Sequence, residues 1–273
     1  MLIKTLTENT SLTPEFGHEH GLSLYIEAAG HKLLFDTGET GLFLKNAQKL
    51  GVPIPEVDTV ILSHGHSDHG GGLRPFLRQN TRARIYAREN AFDRHVISVF
   101  GISKSIGVDA ALKNHPQVVL TGARAEIDEN LLLFSDVKTS DFHSTANNSL
   151  LAVQNRRRVR DDFTHEQNLL LRDGERWFLI SGCSHRGIVN IKRRATEILG
   201  REPDFCIGGF HLYNPSSGKR ESDELVCGIA AELQKGSARY YTCHCTGPHA
   251  FETMKTVMGE RLGYLSAGTV LEI

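Results

Sequence analysis

The sequence predicts an α/β fold, with strands and helices alternating along the chain. Three observations carry that reading. Apolar runs of strand length recur through the 273 residues, and several close in glycine-rich turns. Amphipathic stretches of helical period follow several of those turns. Hydrophobic residues make up 40% of the chain, enough for a full core without disulfide or metal staples. The length suits one large domain or two small ones, and residues 1–273 read as one.

Residues 22–27 (LSLYIE) alternate as a strand, Gly30-His31 turns the chain, and residues 32–36 return as the second strand of a hairpin. Residues 40–50 put Leu42, Phe43, Ala47 and Leu50 on one helical face, with Gly51 as the stop. Residues 57–62 form a buried strand, 73–78 a helix, and 83–87 the next strand. Residues 117–120 and 131–134 are further strands. Between them the pattern loosens. Residues 96–109 read as a glycine-bearing loop or short helix over a cleft, and 140–166 as a long polar loop. Loops of that length in a compact enzyme are usually functional or mobile. Residues 168–172 and 176–181 make a hairpin about Asp173-Gly174. Helices follow at 188–199 and 248–258.

Chemistry gathers where strands end. After residues 57–62 come His64, His66, Asp68 and His69, four ligand-type residues within six positions, followed by Gly70, Gly71 and Gly72. A strand-to-helix loop lets such side chains converge on one point. Neutral imidazole and carboxylate are the usual ligands of zinc and similar divalent ions. His64, His66 and His69 can hold one ion. Asp68 can hold a second, or orient a metal-bound water. A histidine-rich polar loop without function would explain one histidine better than this cluster.

The device repeats in Gly182-Cys183-Ser184-His185, in Gly208-Gly209-Phe210-His211 and in Cys243-His244-Cys245. One strand-end histidine is ordinarily a core or surface residue. Four at the same topological place imply a common cleft at the carboxyl ends of the strands. His185 and His244 are therefore candidate metal ligands. His211 suits proton transfer or anion binding, with a supporting hydrogen bond as its alternative role. His20 leads into the strand paired with the one ending at Asp36, which sets it beside the cleft. His18 divides between a second metal site and the surface.

Composition narrows the function. Net charge is -1 and the pI is about 6.9, so no basic field argues for nucleic acid. The basic cluster of Arg156, Arg157, Arg158 and Arg160 is followed by Asp161 and Asp162. It reads as a solvated loop, with local anion binding as the alternative. Five cysteines, an odd number, and no apolar leader in residues 1–10 point to free thiols in a reducing cytoplasm. No stretch approaches a membrane span. Cys243-x-Cys245 lacks zinc-ribbon spacing, and no glycine-rich nucleotide fingerprint is present.

The stretch from His64 to His69 resembles the His-x-His-x-Asp-His signature of the metallo-β-lactamase superfamily. The resemblance implies a four-layer αββα sandwich with a metal site at one edge of its two sheets. It implies that Asp36, before Gly38, supports the metal loop through hydrogen bonds rather than binding metal. It also implies His244 as the final ligand. Cys183 stands where the superfamily ordinarily has a bridging aspartate, and His165 or Glu166 could supply the histidine motif that precedes it. The combination GCSHRGIVN, GGFHL and HCTG, with Glu19-His20-Gly21-Leu22-Ser23, is similar to the branch named for 7,8-dihydropterin-6-methyl-4-(β-D-ribofuranosyl)aminobenzene-5'-phosphate synthase.

These resemblances imply an enzyme with one or two zinc ions, or iron or manganese in their place. Its substrate would be a small anionic, phosphorylated molecule, reached by hydrolysis or by a related pterin transfer. Asp68 and His211 would act in catalysis. A binding or sensing protein with a silent cleft is one alternative. An RNA-processing nuclease is another, and would want a basic exosite. A flavin-linked branch would want a fused domain, for which the length leaves no room.

Overall fold

We describe a computed structural model that covers residues 1–99, 102–138, 141–215 and 217–273. Two seven-stranded sheets form its centre. The first runs, in spatial order, through Val270–Glu272, Leu2–Thr7, Ser23–Ala28, His31–Phe35, Thr59–Ile61, Arg84–Arg88 and Val118–Thr121. The second runs through Leu262–Tyr264, Arg239–Thr242, Phe205–Gly208, Arg176–Ile180, Asn168–Asp173, Leu131–Phe134 and Arg124–Glu126. Each sheet is antiparallel on one side and parallel on the other. The change comes after His31–Phe35 in the first and after Arg176–Ile180 in the second.

Strand alternation builds the layers. Leu33 and Phe35 face the second sheet, while Leu34 between them faces outward. Phe178 and Ile180 face the first sheet, while Leu179 packs toward the opposite side. Both faces are buried, which is why such strands read as continuous apolar runs. Outside the first sheet lie helices Leu42–Lys49 and Leu73–Leu77, which contribute Phe43, Ala47, Leu73 and Phe76. Outside the second lie Ile188–Leu199, Asp223–Gln234 and Pro248–Met258, which contribute Ile191, Ala230 and Met254. The result is the four-layer αββα sandwich. Truncating a fully buried side chain such as Leu179 would cost about 2–5 kcal/mol.

The two segments read as loops are corrected by the structure. His95–Val99, Ile102–Ser105, Leu150–Gln154 and Arg157–Arg160 form a separate four-stranded antiparallel sheet. Positions 100, 101 and 140 of those segments lie outside the described residues. Asn155 and Arg156 turn the 150–160 hairpin with positive φ, 50° and 64°, as a tight two-residue turn requires. These strands form two local hairpins rich in serine and arginine, joined by a pairing of Leu150–Gln154 with His95–Val99 across more than fifty positions, so no apolar alternation announces them. The first hairpin turns at Ala29 and Gly30 rather than Gly30-His31, again with both φ positive. Helix Asp223–Gln234 lies in a segment without an assigned element. Ser222 caps it by accepting from the Leu225 N–H. Among the described residues, no helix is long and apolar enough to cross a membrane.

Candidate metal centre

The carboxyl ends of parallel strands from both sheets meet at one edge. From the first sheet come Asp36 after His31–Phe35 and Ser63 and His64 after Thr59–Ile61. From the second come Cys183 and His185 after Arg176–Ile180, His211 after Phe205–Gly208, and His244 after Arg239–Thr242. Three of these residues, Asp36, His211 and His244, and Ser184 between Cys183 and His185 have left-handed backbone, with φ of 61°, 51°, 52° and 59°. Non-glycine residues hold that conformation only where surroundings enforce it, and such positions cluster at functional sites. Gly182 allows the two sheet ends to meet, because a Cβ there would lie 2.2 Å from Ser63 Oγ.

Asp36 clamps the histidine loop from beneath. It accepts from the Ser63 N–H at 2.7 Å, from Ser63 Oγ at 2.6 Å and from His69 Nδ1 at 2.6 Å. Its side chain is fully buried and fully partnered, which is the supporting role expected of it.

The sequence-predicted residues converge as two sets that share Cys183. Asp68, His69, Cys183 and His244 lie together, as do His64, Cys183 and His185; His64, His66 and Asp68 make a third, overlapping group. Every first-named histidine is fixed through its Nδ1. His69 Nδ1 is held by Asp36, His244 Nδ1 by Asn9 Oδ1 at 2.8 Å, His185 Nδ1 by Asn147 Oδ1 at 2.9 Å, and His64 Nδ1 by Ser63 Oγ at 2.9 Å. Ser63 Oγ already donates to Asp36, so it accepts from His64. In the neutral ring a proton on Nδ1 puts the lone pair on Nε2, where a cation can take it.

Those lone pairs face one another. His69 Nε2 lies 3.2 Å from His244 Nε2, and His64 Nε2 lies 3.3 Å from His185 Nε2. Asp68 Oδ2 is 3.3 Å from His244 Nε2 and 3.5 Å from His69 Nε2, and Cys183 Sγ is 3.1 Å from His69 Nε2. Bonds of about 2.0–2.1 Å to a tetrahedral ion put neighbouring nitrogen or oxygen ligands about 3.4 Å apart. The nitrogen and oxygen spacings match that edge length. His66 Nε2, buried and without a hydrogen-bond partner, adds a further vacant donor atom. The residues present fit one or two divalent cations.

The electrostatics agree. Burial, with the neighbouring histidines, holds His64, His66 and His185 well below the ordinary imidazole pKa, in the neutral form a metal needs. Burial opposes ionisation of Asp68, but His69, His20 and His244 outweigh it and keep the carboxylate charged. Burial also opposes protonation of His69, but Asp68 and Asp36 push it up to about 9. A proton there takes the place that a cation would hold. Burial pushes the Cys183 thiol up; a bound cation would act in the opposite direction, by favouring thiolate.

A cleft of about 290 Å³ opens over these groups, lined by His20, His66, Asp68, Cys183, His185, His211 and His244 among others. His20 reaches Asp68 Oδ2 at 3.2 Å. His211 is buried, neither ring nitrogen has a partner, and its ring lies 4.2 Å from that of His185.

The family model of the metallo-β-lactamase superfamily matches residues 17–185. The chain belongs to that superfamily. It is 27% identical over 289 residues to the 7,8-dihydropterin-6-methyl-4-(β-D-ribofuranosyl)-aminobenzene-5'-phosphate synthase of Methanocaldococcus jannaschii, covering 99% of this chain and 96% of that one. A second protein of the same organism, without an assigned function, is 27% identical over 90% of this chain and 91% of its own length. Among solved structures, a metal-dependent hydrolase of the β-lactamase superfamily superposes with a TM-score of 0.83 at 30% identity, covering 100% of this chain and 99% of that one.

In this superfamily member, His165 and Glu166 stand behind the ligand loops instead of joining the two sets. His165 Nδ1 accepts from the Gly65 N–H at 3.0 Å, and its Nε2 meets Asp161 Oδ2 at 3.2 Å. Glu166 accepts from the His185 N–H at 2.6 Å and the Arg186 N–H at 3.1 Å. Each fixes the backbone beside a ligand, a role that spacing cannot separate from ligation. The arginine run is also placed differently. It is a strand of the four-stranded sheet, and Arg160 lines a different hollow with Asp161, Asp162 and Arg186.

Several residues at the site carried no signal in the sequence. Asn9 and Asn147 orient His244 and His185. Glu8 accepts from the His244 N–H at 2.6 Å. Cys245 joins Cys183 and His211 in a further close group. Asparagine and glutamate are common in loops, so only their contacts mark them.

Proposed function

We propose that the protein is a metal-dependent hydrolase, loaded first with zinc, that acts on a small anionic, phosphorylated molecule. The observation that carries this reading is the pair of opposed Nε2 lone pairs, each oriented by an oxygen on Nδ1, in a cleft that also holds an ionised aspartate. His64, His69, Cys183, His185 and His244 would hold the zinc, which would lower the pKa of water toward ~7 and polarise a substrate oxygen. Iron or manganese suits the same nitrogen and oxygen donors, with supply and geometry deciding.

The chain's own groups do the rest. Asp68 remains ionised, so its carboxylate can accept a hydrogen bond from a water or hydroxyl in the cleft and orient it. His211 has two buried, unpartnered ring nitrogens at the cleft wall, so it can donate a proton to a leaving oxygen or hold an anionic oxygen. Asn9, Asn147, Asp36 and Ser63 keep the ligand rings in one tautomer and one orientation. Similarity over nearly the whole chain to the pterin-phosphate synthase supports a second reading, a pterin transfer at the same centre in which a carbon–nitrogen bond forms and a pyrophosphate group leaves.

The test is metal analysis of protein purified without a histidine tag, followed by turnover on paired phosphorylated and unphosphorylated compounds, pterins included. Wild type should contain metal and favour the phosphorylated partners, and Asp68→Ala should lose turnover. No bound metal and no uptake would sink the reading. Equal background rates in wild type and Asp68→Ala would indicate a binding protein instead.

A further inference from the structure

We propose that Lys104, with Ile97 and Leu150 beside it, forms a subsite for a second anionic group of the substrate, at the end away from the metal centre. This rests on the small-anion reading above and names the residue that would impose it. The argument begins with register. Leu150 stands opposite Ile97, and Ile97 stands opposite Lys104, in adjacent antiparallel pairs. Directly opposed residues project to the same face. All three line the metal cleft. They therefore form one cross-strand row on the cleft side, apolar over its first two positions and cationic at the third.

Lysine on an edge strand often serves only to block sheet-to-sheet association. Lys104 is exposed, as that role requires, but the face that carries it also carries Ile97 and Leu150 and lines the metal cleft. Lys104 is the lysine or arginine among the described residues that line this cleft, which also holds Glu39 and Asp68. Among the described residues Lys104 makes no ion pair. The same register sets Arg158 and Arg160 apart from this row; Arg157, opposite Gln154, shares the face of Leu150 but does not line the cleft. Leu151 is opposite Arg160 and Val153 is opposite Arg158, which sets both arginines on the other face from Leu150.

The complementary ligand follows from this lining. One anionic end meets the metal centre, an apolar span lies along Ile97 and Leu150, and a second anionic group meets Lys104. A cleft of about 290 Å³ suits a small molecule of that kind.

The experiment titrates ω-carboxyalkylphosphonates of graded chain length, and their uncharged ω-carbamoyl counterparts, calorimetrically into the metal-loaded full chain. The phosphonate is common to both, so the difference isolates the distal charge. For the chain length that spans the cleft, wild type should bind the carboxylate about tenfold more tightly, the value of one charge-assisted hydrogen bond. Lys104→Met should abolish that preference, Lys104→Glu should reverse it, and Lys104→Arg should keep it, all with unchanged metal content. A preference that persists in Lys104→Met would overturn the subsite, as would its absence in wild type at every length while both series bind. If neither series binds wild type, the small-anion reading itself fails and the subsite falls with it.

Discussion

His69 and His165 are both buried imidazoles held by an aspartate, yet the structure gives them opposite uses. His69 gives its Nδ1 proton to Asp36 and turns Nε2 toward Asp68, Cys183 and His244. His165 meets Asp161 through Nε2 and accepts the Gly65 N–H on Nδ1. Its neighbour His95 likewise meets Asp161 through Nδ1 at 3.1 Å and the Asn90 carbonyl through Nε2 at 3.4 Å. In the back cluster every ring nitrogen already has a partner within the protein. In the cleft the second nitrogen of each ring faces another lone pair. Residue type and burial are the same in both, so the direction of the second nitrogen separates a candidate ligand from a structural histidine. The back group lies within ligand reach of His66 as well.

Removing a ligand should have the largest effect. His69→Ala or His244→Ala should lower metal affinity by more than about a hundredfold, beyond the range for supporting residues, as read by chelator competition. Unchanged affinity would erase the distinction between the clusters. Asp161→Ala should do the reverse. It breaks a buried carboxylate–histidine network, so urea unfolding should show a loss of about 3–5 kcal/mol while metal stoichiometry stays at the wild-type value. Loss of a metal equivalent in that variant would move the back cluster into the centre.

The orienting groups should fall between. Asn9→Ala and Asn147→Ala should each weaken metal binding about 10–100-fold and leave the fold intact. A pH experiment sharpens the same contrast. Burial opposes ionisation of Asp161, but its bonds with His165 and His95 hold its pKa well below the usual carboxylate range. Its folded pKa is below the unfolded value of about 3.9, so its contribution is complete above that pH and is lost as pH falls. Asp161→Asn should therefore flatten the acid side of the stability curve below about pH 4. The smallest effect is expected from Arg158→Ala, on the face away from the cleft. It should change stability by less than about 0.5 kcal/mol and leave ligand binding unaltered.

How far the sequence reached depended on whether the signal was local. Helices Ile188–Leu199 and Pro248–Met258 and strand Leu131–Phe134 match their apolar patterns closely. The strands 95–105 and 150–160 did not show themselves, because many of their positions face solvent and their two hairpins join only through a pairing of distant segments. The glycine-bounded histidine loop was legible as a metal motif because its ligands are consecutive. The later histidines were legible because each follows a buried strand.

The sequence by itself determined the α/β class, the crowding of His64, His66, Asp68 and His69 onto one loop, and the arrival of His185, His211 and His244 at strand ends. Spacing and side-chain chemistry suffice for that. Only the tertiary structure decided which nitrogen of each ring is free, and that His165 and Glu166 support the loops from behind. It also decided that Lys104 rather than the arginine run lines the cleft. Those outcomes depend on hydrogen-bond partners and strand register contributed by distant residues, and no local pattern encodes them.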